Sequence, residues 1–194
     1  MKQAGKSGFF LSAALVAGAG LLGLISGRVN AKPQNSYAED RAAILQLESE
    51  YLFALDWGDA ESYANLFAPD GKLEWARGTA IGPKAIYEEM KHYKDLIKQV
   101  YGDDGSGKPV VLRHFITNQA IYIHGDHAKG RVYWFEVANN GPKHSPAIGS
   151  YGHYEDEMRK VDGQWKFMSR KIFNEQLDDR QAGPDNPVRA AKVP

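Results

Sequence analysis

The periodicity of apolar residues in this chain changes from helical to strand-like after Pro109, and this order of segments limits the folds that the chain can adopt. Apolar residues recur at three- and four-residue spacing from Ile44 to Leu55 and predict the first helix. That helix begins near Ala38 and ends at Gly58. The other segments predict helices over residues 60–67 and from residue 82, and strands over residues 72–76, 110–124, 127–138, 148–161 and 164–175. Helices followed by long hairpin-connected strands are typical of an α+β domain.

A strongly curved sheet in such a domain wraps around the N-terminal helices and encloses one pocket. Enclosed pockets of this kind bind small, mostly apolar ligands. We therefore expect one domain over residues 38–177, preceded by a polar leader over residues 32–37 and followed by an irregular tail over residues 178–194. The expected partner is a small hydrophobic molecule.

Residues 1–31 have the pattern of a secretory signal peptide, with Lys2 and Lys6, an apolar stretch and a final Val-Asn-Ala. The apolar stretch is interrupted by glycines and is shorter than the ~20 residues that span a membrane. We predict cleavage after Ala31, export to the periplasm and no membrane attachment afterwards. An uncleaved N-terminal anchor is the alternative.

The charge balance of the remaining 163 residues argues against polyanionic partners. They carry 21 basic and 24 acidic side chains, a formal net charge of −3. Nothing builds the positive field that nucleic acid or an anionic membrane requires. The chain contains no cysteine, which excludes disulfides, thiol nucleophiles and zinc–thiolate sites. Histidines near the turn at residues 124–127 are explained by the turn itself, so we predict no metal and no cofactor.

Four residues stand out as candidates for chemistry: Tyr51 and Asp56 near the end of the first helix, His114 on a strand, and Arg170 on the last strand. Neutral imidazole accepts a proton, and a carboxylate on its other nitrogen fixes the tautomer. Such a pair can perform β-elimination if the proton comes from carbon, with Tyr51 or Arg170 assisting the leaving group. The alternative is a core histidine bonded to a carbonyl and an aspartate that caps its helix.

Several aromatic and polar side chains are candidates for binding the substrate. Strand alternation places His114, Ile116 and Asn118 on one face. We predict that the pocket is lined by a set of side chains that these strands and the first predicted strand carry: Trp75, Phe115, Asn118, Trp134 and Tyr154. A role in the core would explain each aromatic residue equally well.

Four stretches of the chain resemble one family, in that family's order. They are Tyr51-x-x-Ala54-Leu55-Asp56-x-Gly58-Asp59, Leu66-Phe67-Ala68-Pro69-Asp70-Gly71, Arg113-His114-Phe115-x-Thr117-Asn118, and the segment from Gly152 to Trp165 that contains Asp162-Gly163. The chain thereby resembles the SnoaL-like branch of the nuclear-transport-factor-2-like superfamily over residues 38–176. The resemblance implies a cone-shaped α+β barrel with a curved mixed or antiparallel sheet.

The branch includes scytalone dehydratase, bile-acid dehydratase and hexachlorocyclohexane dehydrochlorinase. The resemblance implies an Asp–His dyad that works without metal or cofactor, with Asp56 and His114 in those two places. Tyr51 matches a position that is tyrosine in the dehydratases, and Arg170 matches a functional arginine. It also implies a homo-oligomer, either dimer or trimer.

The resulting hypothesis is a cofactor-independent lyase with His114 as base and Asp56 as its orienting partner. It would remove water, a halide or a small carbonyl fragment from a hydrophobic cyclic or aromatic molecule. One alternative uses the same base in an isomerase or cyclase. The other is an exported, non-catalytic protein that binds a small ligand.

Overall fold

The computed structural model describes residues 36–103 and 107–192. The predicted signal peptide lies outside these residues and stays a prediction. No helix within the described ranges is long and apolar enough to cross a membrane.

Three helices come before most of the sheet. Helix α1 spans Tyr37–Trp57, α2 spans Ala60–Asn65 and α3 spans Gly82–Tyr101. Ser36 and Glu39 form a reciprocal capping box at the start of α1, so the helix begins one residue before the predicted position. Gly58 ends α1 at a φ of 63°, a left-handed conformation that favours glycine.

Six strands form a single mixed sheet: β1 (Phe67–Trp75), β2 (Gly78–Ile81), β3 (Leu112–His124), β4 (His127–Ala138), β5 (Ala147–Val161) and β6 (Gln164–Asn174). Their order is β2-β1-β6-β5-β4-β3. The β1–β6 pair is parallel and the others are antiparallel. This confirms the predicted α+β class, and the sheet stays open with β2 and β3 at its edges.

The long strands are interrupted by bulges, which bend a sheet locally. The register shifts between Thr117 and Ala120 in the β3–β4 pair, and between Phe135 and Val137 in the β4–β5 pair. The core lies between the inner face of the curved sheet and the helices, with Ile44, Tyr51 and Ile86 fully buried. The shift after Phe135 also shapes the candidate site described below.

Three local predictions were wrong. Strand β1 begins at Phe67 rather than Lys72, because Phe67 pairs with Phe167 of β6. The short strand β2 was missed; it pairs with β1 through a tight turn. The tail predicted to be irregular contains helix α4 (Pro187–Ala191), capped by Asn186 and started by a proline at a position that favours helix initiation.

Candidate active site

A cavity of about 300 Å³ lies between α1, α3 and the inner face of the sheet. Most of its lining is apolar or aromatic, and a few polar groups converge on it. The residues used below are Tyr51, Trp75, Tyr93, Tyr101, His114, Trp134, Glu136, Ser150 and Tyr154. An apolar cavity with few convergent polar groups is the usual form of a small-molecule site.

His114 lines this cavity and contacts Asp56. The Nδ1 atom of His114 lies 2.7 Å from Oδ1 of Asp56, and the two side chains are only 7% and 6% exposed. The backbone N–H of His114 also donates to Oδ2 of Asp56, at 3.0 Å. One carboxylate therefore binds both the backbone and the ring of His114, which fixes the ring's orientation.

Contacts between the neighbours of Asp56 and His114 hold these two residues together. Asp56 lies in the last turn of α1, two residues before the Gly58 cap. Arg113, the neighbour of His114, stacks its guanidinium 3.9 Å from the Trp57 ring and donates to the carbonyl oxygen of Asp56 at 3.3 Å. These contacts fasten the C-terminal end of α1 to the start of β3.

Glu136 was not among the residues predicted from sequence, and it lies directly opposite His114 on β4. Its Oε2 lies 3.2 Å from Nε2 of His114, and its side chain is 7% exposed. A carboxylate on the inward face of β4, which otherwise carries Ala128, Val132 and Trp134, was the available signal. Recognising it required the β3–β4 register, which the sequence alone does not show.

The other oxygen of Glu136 is held by two donors. Oε1 accepts from the hydroxyl of Tyr101 and from the backbone N–H of Ser150, the latter at 2.8 Å. The bulge between Phe135 and Val137 leaves Ser150 without a ladder partner on β4, so its N–H turns to the carboxylate. Bulges next to functional sites commonly redirect groups in this way.

These neighbours set the charges of the site. Burial by itself lowers the pKa of His114, but the hydrogen bonds and charges of Asp56 and Glu136 outweigh it and raise the pKa above its ordinary value. Burial raises the pKa of Glu136, yet the hydrogen bonds from His114, Tyr101 and Ser150 prevail and lower it. These directions favour the imidazolium form of His114 and the carboxylate form of Glu136.

Tyr51 and Arg170 lie away from the His114 ring nitrogens. The Tyr51 hydroxyl is hydrogen-bonded to that of Tyr63 at 2.7 Å, although its ring lines the cavity. Arg170 is buried and makes a two-point ion pair with Asp156, at 2.8 and 2.7 Å. Its guanidinium packs 4.0 Å from the Tyr51 ring centre and 4.3 Å from that of Tyr154, so it supports the cavity wall from behind.

The residues predicted to bind the substrate divide into two groups. Trp75, Trp134 and Tyr154 line the cavity, and the last two stack with ring centres 5.8 Å apart. Phe115 points to the other face of the sheet, is 46% exposed and stacks on Phe135. Asn118 is exposed at the β3 bulge with a φ of 56°, so the alternation predicted from His114 does not reach it.

Tyr93, on α3, was also missed as a site residue. Its hydroxyl lies 3.4 Å from Nε2 of His114, and burial raises its pKa well above the ordinary value. It therefore stays protonated as a neutral donor at the cavity. Within residues 36–103 and 107–192, no group of three potential ligands is placed to hold a metal ion.

The fold and cavity define a class of protein: a small α+β domain with an apolar pocket and a buried histidine that contacts two carboxylates. The chain matches the model of the SnoaL-like domain over residues 36–171 and belongs to that family. The family includes dehydratases and cyclases. No curated protein sequence matches this chain significantly.

Solved structures support the fold. A protein of unknown function from Mycobacterium tuberculosis is 24% identical, covers 79% of this chain and 85% of its own, and has a TM-score of 0.60. A protein from Novosphingobium aromaticivorans that is provisionally named scytalone dehydratase is 23% identical over 78% and 94% of the two chains, with a TM-score of 0.57. A second protein from that organism, described as NTF2-like with a cystatin-like fold, is 21% identical over 79% and 89%, with a TM-score of 0.60.

Proposed function

We propose that this protein is a cofactor-independent lyase in which His114, oriented by Asp56, transfers a proton during β-elimination from a hydrophobic cyclic or aromatic molecule. The observation that carries the proposal is the 2.7 Å contact between Nδ1 of His114 and Asp56 at the wall of an apolar cavity. Membership of a family that includes dehydratases and cyclases is consistent with it.

The cavity suits the chemistry in three ways. Trp75, Trp134 and Tyr154 offer flat apolar surfaces to a ring-containing substrate. Exclusion of water strengthens the electrostatic interactions of the buried groups. Asp56 keeps the ring of His114 in one orientation at the cavity wall, so that the proton is transferred from a fixed position.

The experiment compares purified protein with two variants, His114→Gln and Asp56→Asn. Each is screened against hydroxylated and halogenated cyclic or aromatic compounds, and mass spectrometry detects loss of water or hydrogen halide. We expect each variant to lose about 10²–10⁴-fold in turnover of the hydroxylated compounds, the usual contribution of a general acid or base.

Matched controls are His124→Gln on the β3–β4 hairpin and Asp95→Asn on α3, which are exposed and do not line the cavity. Their activity should equal that of the parent protein. Near-parental turnover of the hydroxylated compounds by folded His114→Gln would refute the proposal and favour simple ligand binding. A product isomeric with the substrate, with deuterium incorporated from D₂O, would indicate an isomerase instead.

We also propose that the protein is exported and forms a homo-oligomer through the outer face of the sheet. This face exposes Phe115, Tyr133 and Tyr151, which are 46%, 56% and 52% accessible. Contiguous exposed aromatic residues commonly mark protein interfaces. Light scattering should give a dimer or trimer for the parent and a monomer for Tyr133→Glu; an unchanged mass would refute this interface.

A further inference from the structure

Two carboxylates grip the ring of His114, one at each nitrogen. Asp56 binds Nδ1 at 2.7 Å, and Oε2 of Glu136 lies 3.2 Å from Nε2. Neutral imidazole carries only one N–H, whereas imidazolium carries two. Two carboxylate acceptors are therefore satisfied together only by the cation, and Nε2 then holds a proton that points toward Glu136.

Glu136 is in turn built into the site. Two donors fix Oε1, and Oε2 faces the cavity and the ring. A Cβ atom at position 149 would lie 2.7 Å from both Oε1 of Glu136 and Oη of Tyr101, so glycine at this position lets β5 approach the pair without displacing either side chain. These contacts fix the position of the Glu136 carboxylate at the cavity wall.

We infer that Glu136 is a second catalytic residue, whose Oε2 takes the proton from the substrate carbon while the imidazolium of His114 donates its Nε2 proton to the leaving oxygen. This inference rests on the proposed lyase function and deepens it. It reverses the role of His114 expected from sequence, since the base is Glu136 and the acid is His114. It also names the leaving group as hydroxyl, so the product is water.

The protons and electrons balance within the pair. The C–H electrons form the new C=C bond, and the C–O electrons leave with the oxygen. Oε2 of Glu136 gains one proton and Nε2 of His114 gives one, so the hydroxyl leaves as water. Transfer of a proton from Oε2 back to Nε2 across the 3.2 Å contact restores the starting charges. Halide loss would not consume the His114 proton, and the pair would have to release one to solvent.

A pair of substrates that differ only in the leaving group separates the two roles. The probes are the aldol of benzaldehyde with acetone and its chloride analogue, which both yield benzalacetone. A carbon base is needed for both probes, whereas an acid is needed only for the poor leaving group, hydroxide. The variants are His114→Gln and Glu136→Gln. The control is Glu155→Gln, a carboxylate on β5 that pairs with Arg131.

We expect Glu136→Gln to lose about 10²–10⁴-fold in kcat on both probes. His114→Gln should lose as much on the alcohol but less than about 10-fold on the chloride, which needs no acid. The control should match the parent. If instead His114→Gln fails on both probes and Glu136→Gln fails only on the alcohol, the assigned roles are reversed and the inference is overturned.

Failure of the inference is distinguishable from failure of the proposed function. Full activity of Glu136→Gln with loss in His114→Gln removes Glu136 from the mechanism but keeps the lyase. Full activity of both variants removes the lyase. A parental rise in kcat/KM with pH that levels above the His114 pKa would also overturn the inference, since an acid imidazolium requires activity to fall there.

A measurement that needs no turnover checks the geometry. The groups that face the His114 ring are Asp56 on α1, Tyr93 on α3 and Glu136 on β4, with Tyr101 behind the last. Titration of the His114 ring by NMR should give a lower pKa in Glu136→Gln than in the parent. An unchanged pKa would show that Nε2 does not share its proton with Glu136, and would overturn the inference.

Discussion

The buried carboxyl group of Glu48 should make the stability of the protein depend on pH. It lies on α1, fully buried, and its Oε2 accepts from Gln119 at 2.8 Å. Its Oε1 has no hydrogen-bond partner within the described part of the chain. Burial and the charge of Asp156 raise its pKa from 4.5 to about 7, despite the opposing charge of Arg170. The Glu48 carboxyl group therefore keeps its proton to a higher pH in the folded chain than in the unfolded chain.

The sign and size of the effect follow from this pKa. Below about pH 4.5 both folded and unfolded chains hold the proton, and the group has no pH-dependent effect. As the pH rises, the unfolded chain releases the proton first, so the free energy of unfolding falls until the pH passes about 7. At 1.36 kcal/mol per pKa unit, the full loss is on the order of 3 kcal/mol.

The perturbation is Glu48→Gln, which keeps the shape of the side chain and removes its ionisation. Unfolding in urea, followed by tryptophan fluorescence at pH 5 and pH 8, measures the difference between variant and parent. We expect the relative stability of the variant to grow by about 2–3 kcal/mol between these two pH values. All other titrating groups are shared, so they largely cancel in the difference.

Glu50→Gln, two residues along on the exposed side of α1, is the matched control and should show no such growth. The reasoning is refuted if the difference between Glu48→Gln and parent is the same at both pH values. A difference that shrinks with rising pH would mean that Glu48 is stabilised as an anion.

Two further predictions concern residues that support the site. Arg170→Met should lower the free energy of unfolding, measured by urea titration, by about 3–5 kcal/mol, because it leaves the buried Asp156 charge unpaired. The control is Arg159→Met, which removes the exposed Arg159–Asp70 pair and should cost at most about 1 kcal/mol. Equal losses in the two variants would contradict this prediction. Gly149→Ala should cost about 1–3 kcal/mol of stability and reduce turnover of the alcohol probe, because the new Cβ would displace Glu136. The control is Gly183→Ala, whose Cβ would meet nothing within 4 Å and which should change neither quantity. Parental activity in Gly149→Ala would argue against a rigid Glu136.

Much of the fold was predictable because its signals are local. The capping residues and Gly58 define the ends of α1, and Asp162-Gly163 closes the β5–β6 hairpin. The short strand β2 was not predictable, because four residues carry too little periodicity. Pairing with β1 defines that strand.

The residue types show which side chains can perform acid–base chemistry, and local patterns place Asp56 at a helix end and His114 on a strand. The partners of these side chains depend on contacts between distant segments. Glu136 reaches His114 through the β3–β4 register, a bulge turns Asn118 outward, and Arg170 is committed to Asp156. Alternation along a strand indicates which face a side chain occupies, whereas a contact between strands depends on their register. A bulge changes the register, and it depends on interactions between strands that the sequence of one strand does not reveal.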